Sequence, residues 1–372
     1  MTRTDDRGPL AVTRRAQLLD ALQQQGTVRV SELTELLGVT AVTVRRDIAQ
    51  LADDGLLQRV HGGATLPDDA EPGEAGTAPT DDLTAAPTDS VGMLVPSLDY
   101  YWPGVIRGAE EEASRHHLRM VVRGSSYEAD DTISQLERMV EQSGVAGLVL
   151  APNMEAAHTA EALKWLSTTG TPVVLVERQA VIGGLQAVVE SVVSDHALGG
   201  AMAVRHLASL GHRRVGLVLS HHSPTGPYVR RGWAEALDEL GERPDSTVDL
   251  QVTAPHSPET SSELDVVVER TLSTGTTALL VHADAEAIAL VQRLEARGIS
   301  VPGDISVVAY DDEIAGLFSP RLTAVRPPRR SLGRAAVGLV AARLADPGRP
   351  AHRVIISPSL RVRESCAPPP SS

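Results

Sequence analysis

VVESVVSDHALGGAMAVRHLASLGHRRVGLVL, residues 188–219, reads as strand, helix, strand. Its two apolar runs, VVESVV (188–193) and VGLVL (215–219), flank a helical stretch at 196–210. The same alternation extends in both directions. Further runs are VGMLV (91–95), RMVV (119–122), GLVL (147–150), VVLVE (173–177), ALLV (278–281) and ISVVAY (305–310). Helical stretches at 104–116, 131–142, 229–240 and 284–297 lie between them. Continuous apolar strands alternating with helices build parallel sheets covered on both faces. A span of roughly 280 residues exceeds one such sheet. The spacing therefore predicts two doubly wound α/β lobes with a cleft between them, where ligands sit at the C-terminal ends of the strands.

The chain has 372 residues, 42% of them hydrophobic, which is enough for buried cores and excludes general disorder. No apolar run reaches the ~18–20 residues that span a bilayer, and Met1–Leu10 lacks the apolar stretch of a secretory signal. Cys366 is the single cysteine, so no disulfide framework or cysteine-cluster zinc site is expected. The compartment expected is the cytoplasm. Net charge is −14, unevenly spread. Residues 1–66 hold eight Arg and eight Asp/Glu, while 67–90 hold seven acidic residues and no basic one. That segment, PDDAEPGEAGTAPTDDLTAAPTDS, has one large apolar residue, Leu83, and reads as a flexible acidic linker with a mean span of ~25–30 Å. Residues 367–372 read as a disordered tail.

Upstream of the linker the pattern is helical. Leu18, Leu19 and Leu22 mark a first helix over 13–25, ended by Gly26. Ser31 reads as the N-cap of a short helix to Leu37. Thr40 caps a third helix with Val44, Ile48 and Leu51 on its core face. Leu56–Val60 and Ala64–Leu66, separated by His61-Gly62-Gly63, read as a hairpin. This is the plan of a winged helix-turn-helix, a small α+β domain over residues 1–66. The helical wheel turns Arg45 and Arg46 outward, where a guanidinium fits guanine O6 and N7, and puts Arg59 and His61-Gly62 at the wing tip.

Arg14-x3-Leu18-x3-Leu22, Thr40-x2-Thr43-Val44-Arg45-Arg46-Asp47-Ile48 and Gly55-x-Leu57-x-Arg59-x-His61-Gly62-Gly63-Ala64 resemble the DeoR helix-turn-helix over about 50 residues. The resemblance implies operator contacts from Thr40, Ala41, Thr43, Arg45, Arg46, Arg59, His61 and Gly62. With a neutral domain, phosphate contacts are few and a homodimer is expected for affinity.

Aromatics are scarce, nine in all, and three of them, Tyr100, Tyr101 and Trp102, are consecutive just after the first sensor strand. Tyr228, Trp233 and Tyr310 lie near later strand ends, Trp233 on a helix where core packing is its expected role. Aromatic faces at loop positions suit sugar or base stacking. VGMLVPSLDYYWPGVIRGAEEEA, PVVLVER, VVSDHALGGAMAVRHLASLGHRRVGLV, RRGWAEAL and VPGDISVVAYDDEIAGLFSPRLTAV resemble the LacI/GalR sensor, a two-lobed type I periplasmic-binding-protein-like domain, over 91–366. The resemblance implies lobe 1 at about 91–189 and 326–355, and lobe 2 at about 190–325 and 356–366. It implies an effector pocket walled by Tyr100, Trp102, Pro103 and Ile106, with Glu177, Arg230, His282, Asp311 and Arg329. Arg230 is one residue out of register with the usual pocket arginine, and Val229 or Arg231 are the alternatives. The usual Asn-Asp pair after the seventh strand reads His282-Ala283-Asp284, and the acidic linker stands where the family has a hinge helix.

His221, His222 and His256 come with no HExxH, phosphate loop or nucleophile elbow, so no catalytic residue, metal or cofactor is expected. The expected function is a DNA-binding transcriptional repressor controlled by a sugar, polyol or nucleoside and acting as a dimer on double-stranded DNA, without a membrane partner. The alternative is a solute-binding protein or carbohydrate sensor with no direct role in transcription. As an exported carrier it would need a signal and would leave 13–66 unexplained.

Overall fold

The computed structural model describes residues 89–124, 132–154, 159–182, 187–221, 223–253, 257 and 259–370 and, nearer the N-terminus, 18, 21, 27–37, 39, 43, 44, 48, 58–60 and 63–65. The chain divides into two compact units, Met1–Leu83 and Thr84–Ser372.

In the first unit, β1 (Thr27–Arg29) leads directly into α1 (Val30–Leu37), and β2 (Gln58–Val60) pairs with β3 (Gly63–Thr65). The strand order is β1-β3-β2, antiparallel throughout. Strand β1 was not part of the expected pattern, because three residues carry too little periodicity to read. Helix α1 starts one residue before Ser31, so Ser31 lies inside its first turn instead of capping it. Leu18, Ala21, Val28, Leu33, Leu37, Val44 and Ile48 form one buried cluster. That cluster contains three of the apolar positions that the helical spacing assigned to the core: Leu18, Val44 and Ile48.

The second unit holds two six-stranded sheets. The first is ordered β16-β10-β7-β6-β4-β5 and fully parallel. Its strands are β4 (Asp89–Val95), β5 (Leu118–Gly124), β6 (Gly147–Leu150), β7 (Val173–Val176), β10 (Glu190–Ser194) and β16 (Arg353–Ile356). Helices α2 (Trp102–Arg115) and α9 (Arg329–Ala345) cover one face, and α3 (Thr132–Glu137) and α4 (Thr159–Thr169) the other. A short β8–β9 hairpin (Val181–Ile182, Ala187–Val188) lies outside this sheet.

The second sheet is ordered β12-β11-β13-β14-β15-β17, with only β17 antiparallel. Its strands are β11 (Val215–Ser220), β12 (Asp249–Val252), β13 (Ala278–His282), β14 (Ser306–Tyr310), β15 (Thr323–Arg326) and β17 (Ser359–Arg361). Helices α5 (His196–Ser209) and α6 (Gly226–Glu239) pack on one face, α7 (Thr260–Ser273) and α8 (Asp284–Ala296) on the other.

Each lobe brings two helices into backbone contact through paired glycines. A Cβ on Gly108 would lie 2.0 Å from the Arg330 carbonyl oxygen, and one on Gly333 would lie 1.9 Å from that of Val105. In lobe 2, a Cβ on Gly200 would meet the Val229 oxygen at 2.4 Å and one on Gly232 the Ala197 oxygen at 1.8 Å.

Four expected boundaries move, one of them at Arg326, which pairs with Ser359 and so belongs to lobe 2. Strand β10 pairs with β7 and β16, so 190–194 belong to lobe 1, and the first crossover to lobe 2 comes at Asp195. Ile356 belongs to lobe 1 for the same reason. Asp89 and Ser90, expected in the linker, already pair with Leu118 and Arg119. The tail is also tied down at its start. The Ala367 carbonyl accepts from Nε2 of buried His212 at 2.8 Å, and its N–H donates to Ser306 Oγ at 3.1 Å.

Candidate functional site: the cleft between the lobes

The C-terminal ends of six parallel strands converge on one cavity of about 370 Å³. Lobe 1 supplies Ser97, Tyr100, Tyr101 and Trp102 after β4, and Glu177 and Arg178 after β7. Lobe 2 supplies His196 at the start of α5, Ser220 and Ser223 to Thr225 at the end of β11, His282, Ala283, Ala285 and Glu286 at the end of β13, and Asp311 after β14. Strands buried on both faces leave only their end residues free to take polar side chains into a ligand site, which is why the lining is read off the loops.

Glu177 is the centre of this site. Its Oε1 accepts from the Tyr101 hydroxyl and from Ser194 Oγ at 2.7 Å. Its Oε2 accepts from the Ser194 N–H at 2.9 Å and lies 3.2 Å from His196 Nε2, which must donate to a carboxylate. The other nitrogen of His196 is 3.0 Å from the Tyr310 hydroxyl. Burial works to raise the Glu177 pKa, but the charge of His196 and the bonds from His196, Tyr101 and Ser194 outweigh it and hold the carboxyl at about 2.

Asp311 faces Glu177's lobe from across the cleft. The Tyr100 hydroxyl donates to Asp311 Oδ2 at 3.1 Å, joining lobe 1 to lobe 2. Burial, then the charge of Asp311, pushes the Tyr100 phenol far above its ordinary range, so it remains a donor. Tyr101, Glu177, Asp311 and Asp312 all have left-handed backbone, with φ of 66°, 55°, 95° and 54°. Such a conformation costs ~1–3 kcal/mol per residue and persists only where the surroundings enforce it. Here Arg329 donates to the carbonyls of Asp311 and Asp312 and pairs with Glu313 at 3.0 Å. Asp284 takes the N–H groups of Asp312, Glu313, Ile314 and Ala315. Burial and the charge of Asp311 push the Asp284 carboxyl up to about 7 against the pull of those N–H groups.

Of the nine effector residues expected from sequence, Tyr100, Trp102, Glu177, His282 and Asp311 line the cavity. The others do not. Pro103 sits in the first turn of α2, and Ile106 packs against the lobe 1 core. Arg329 holds the Asp311 loop from behind, its guanidinium 5.7 Å from the Tyr101 ring centroid. Arg230 is paired with Asp249 at 2.9 Å on the outside of lobe 2. The reason is the register of α6. Val229, Gly232 and Trp233 occupy its buried face, so Val229 stands inside and Arg230 turns toward β12. Arg231 is exposed and stacks over Tyr228. Trp233 and Tyr310 are core residues, as expected for Trp233 only, and the Trp233 indole donates to the Val215 carbonyl at 2.8 Å.

The sequence reading missed Arg178, His196, Ser220, Thr225 and Glu286 as lining residues. A polar cluster directly after a buried strand, Ser194-Asp195-His196, was the available signal. The DNA-contact candidates Thr40, Ala41, Arg45, Arg46, His61 and Gly62 lie outside the described residues. Thr43 is helical and half-buried, and Arg59 lies in β2, paired with Ala64. Among the described residues, no group of three or more His, Cys, Asp or Glu is placed to hold a metal ion, and no helix is long and apolar enough to cross a membrane.

Residues 14–70 match the DeoR-like helix-turn-helix domain, and residues 204–366 match the periplasmic binding protein-like domain. An uncharacterized HTH-type transcriptional regulator in the aml 5′ region of Streptomyces limosus is 31% identical over 242 residues, 63% of this chain and 67% of that protein. The chain belongs to the HTH-type transcriptional regulators. This regulator pairs a DeoR-like DNA reader with a periplasmic-binding-protein-like domain. It is also 26% identical over 309 residues to the arabinose metabolism transcriptional repressor of Geobacillus stearothermophilus, covering 81% of this chain and 80% of that one. Its sensor fold is that of a ribose-bound LacI-family regulator from Enterococcus faecium, with a TM-score of 0.62 and 24% identity over 75% of this chain and 99% of the other.

Proposed function

We propose that this regulator is a cytoplasmic repressor that grips operator DNA as a homodimer and is controlled by a sugar, or a related polyol or nucleoside, held between the lobes. The observation that carries the reading is the interlobe cavity, where aromatic rings at Tyr100 and Trp102 stand with the carboxylate of Asp311. Rings stack on the C–H faces of a sugar and carboxylates accept its hydroxyls. The reading is supported by the ribose in the Enterococcus faecium regulator and by the arabinose-linked name of the Geobacillus stearothermophilus repressor.

In this reading Tyr100, Trp102, His282 and Asp311 touch the effector. Glu177 acts differently from the sequence expectation. Its acceptor positions are taken by Tyr101, Ser194 and His196, so it holds the pocket's shape and joins the two lobes. Operator contacts are assigned to Thr40, Ala41, Thr43, Arg45, Arg46, Arg59, His61 and Gly62. Effector binding favours one arrangement of the lobes and so alters the DNA affinity of the paired readers.

Thermal unfolding of the full chain against a panel of monosaccharides, polyols and nucleosides tests this. A ligand at 100 times its Kd stabilises the folded state by ~2.7 kcal/mol. At least one compound is expected to raise the melting temperature of the wild type, and to raise that of Asp311→Ala less at the same concentration. A panel without effect on either protein contradicts the reading.

A further inference from the structure

The carboxylates around the cleft are of two kinds. An ionised carboxylate offers about four acceptor positions. Glu177 has them filled by Tyr101, Ser194 twice and His196, and Asp284 by four backbone N–H groups. Glu286 and Asp311 are different. Among the described residues, Glu286 accepts only from Ser220 Oγ and the Ala283 N–H, and Asp311 only from Tyr100. Both are more than nine-tenths buried, at 6% and 5% exposure, and both line the cavity.

Neither has a cationic partner among the described residues, although arginines are close by. Arg329 is engaged by Glu313 and by two carbonyls. Arg326 and Arg363 both pair with Asp312. Arg230 is held outside by Asp249, with Val229 buried in its place. Arg178, on the lobe 1 side of the cavity, donates to the carbonyls of Pro152 and Glu177. Two buried carboxylates without a counter-charge are costly, and a neutral polyol leaves that charge uncompensated. The same cavity presents the rings of Tyr100, Tyr101 and Trp102, and an aromatic face with a carboxylate nearby is the general way proteins recognise an ammonium group.

We propose that the effector is a sugar bearing a free amine, a hexosamine or close relative, and that Glu286 together with Asp311 selects for its ammonium group. The inference rests on the sugar reading of the cleft and narrows it. The amine donates to the open acceptor positions of Glu286 and Asp311 while the ring stacks on the aromatic wall. Acetylating the nitrogen removes both the charge and two donors.

Isothermal titration of the full chain with glucosamine, galactosamine and mannosamine, beside glucose, galactose, mannose and N-acetylglucosamine, tests this directly. One amine is expected to bind at least about tenfold tighter than its parent sugar, in line with a charge-assisted hydrogen bond. In Glu286→Gln and in Asp311→Asn that preference is expected to shrink toward parity, with thermal unfolding of the unliganded variants confirming that they fold. Equal or tighter binding of a parent sugar or of the N-acetyl sugar overturns the amine inference and leaves the sugar reading standing. An amine preference that survives in both variants overturns the role of Glu286 and Asp311. Absence of binding by every compound overturns the sugar reading and this inference with it.

Discussion

At the scale of single residues the cleft depends on buried charge that is fully partnered in one place and left open in another. Glu177 is the partnered case. Its carboxyl is lowered to about 2 in the folded protein from an ordinary value of 4.5, so its contribution to stability is present above pH 4.5 and lost as pH falls toward 2. Glu177→Gln is expected to cost about 1–3 kcal/mol above pH 4.5, because an oxygen that accepts from Tyr101, Ser194 or His196 becomes an NH2 donor, and to flatten the fall in melting temperature between pH 4.5 and 2. Calorimetry across that range decides it, and an unchanged pH profile contradicts the assignment. Asp311 is the open case. Asp311→Ala is expected to weaken effector binding ~10–150-fold while operator affinity without effector stays at the wild-type value. Both acids were legible in sequence as polar residues ending apolar strands. Their different roles were not, since acceptor occupancy depends on Tyr101, Ser194 and His196, which lie far from Glu177 in the chain or outside its strand. The misplacement of Arg230 has the same origin, because one residue of helix register separates the interior from the surface.

At the scale of elements the paired glycines are what hold each lobe's covering helices together. Ala at Gly232 or Gly333 would put a methyl group inside van der Waals distance of a carbonyl carried by a packed helix, at 1.8 and 1.9 Å. Each substitution is expected to lower stability by ~1–3 kcal/mol or more, read by denaturant unfolding, whereas Gly348→Ala on the surface, whose Cβ meets nothing closer than 3.6 Å, is expected to change little. Most central strands could be read because parallel strands buried on both faces are continuous apolar runs. Strands β12, β15, β16 and β17 were not read. Strands β12, β16 and β17 lie half-exposed at the sheet edges, and β15 is central and buried but its four residues, TAVR, hold only two consecutive apolar ones. In the DNA reader, Val44 and Ile48 lie in the buried cluster, and helical spacing from them predicts Arg45 and Arg46 on the outward face. Arg45→Ala and Arg46→Ala are each expected to cost ~1–3 kcal/mol in operator binding and to relax specificity at one base pair, without altering effector affinity. Operator titration of the folded variants checks this, and wild-type affinity in both contradicts the recognition-helix assignment.

At the scale of the whole molecule the sensor is two copies of one topology. Each lobe runs its first five sheet strands in the order second-first-third-fourth-fifth, with β16 or β17 added at the end. No repeat shows in the sequence, because the shared feature is the pattern of buried strands and covering helices, which many residue choices satisfy. The chain passes between lobes at Asp195, after Arg326 and after Ile356, and side chains bridge the gap at Tyr100–Asp311, Glu177–His196 and Arg329–Glu313. A ligand that reorganises these bridges changes the balance between lobe arrangements, and typical couplings of this kind are 1–3 kcal/mol, or ~5–150-fold in affinity. The central claim is that occupancy of this cleft governs DNA binding. It is tested by titrating the full chain onto an operator fragment selected from random-sequence DNA, with and without a saturating amount of the compound that stabilises the wild type in the thermal panel. The account predicts a change in operator affinity of at least about fivefold in the wild type, and in Asp311→Ala the same response only at ~10–150-fold higher compound concentration. Operator affinity that is the same with and without the bound compound would contradict it.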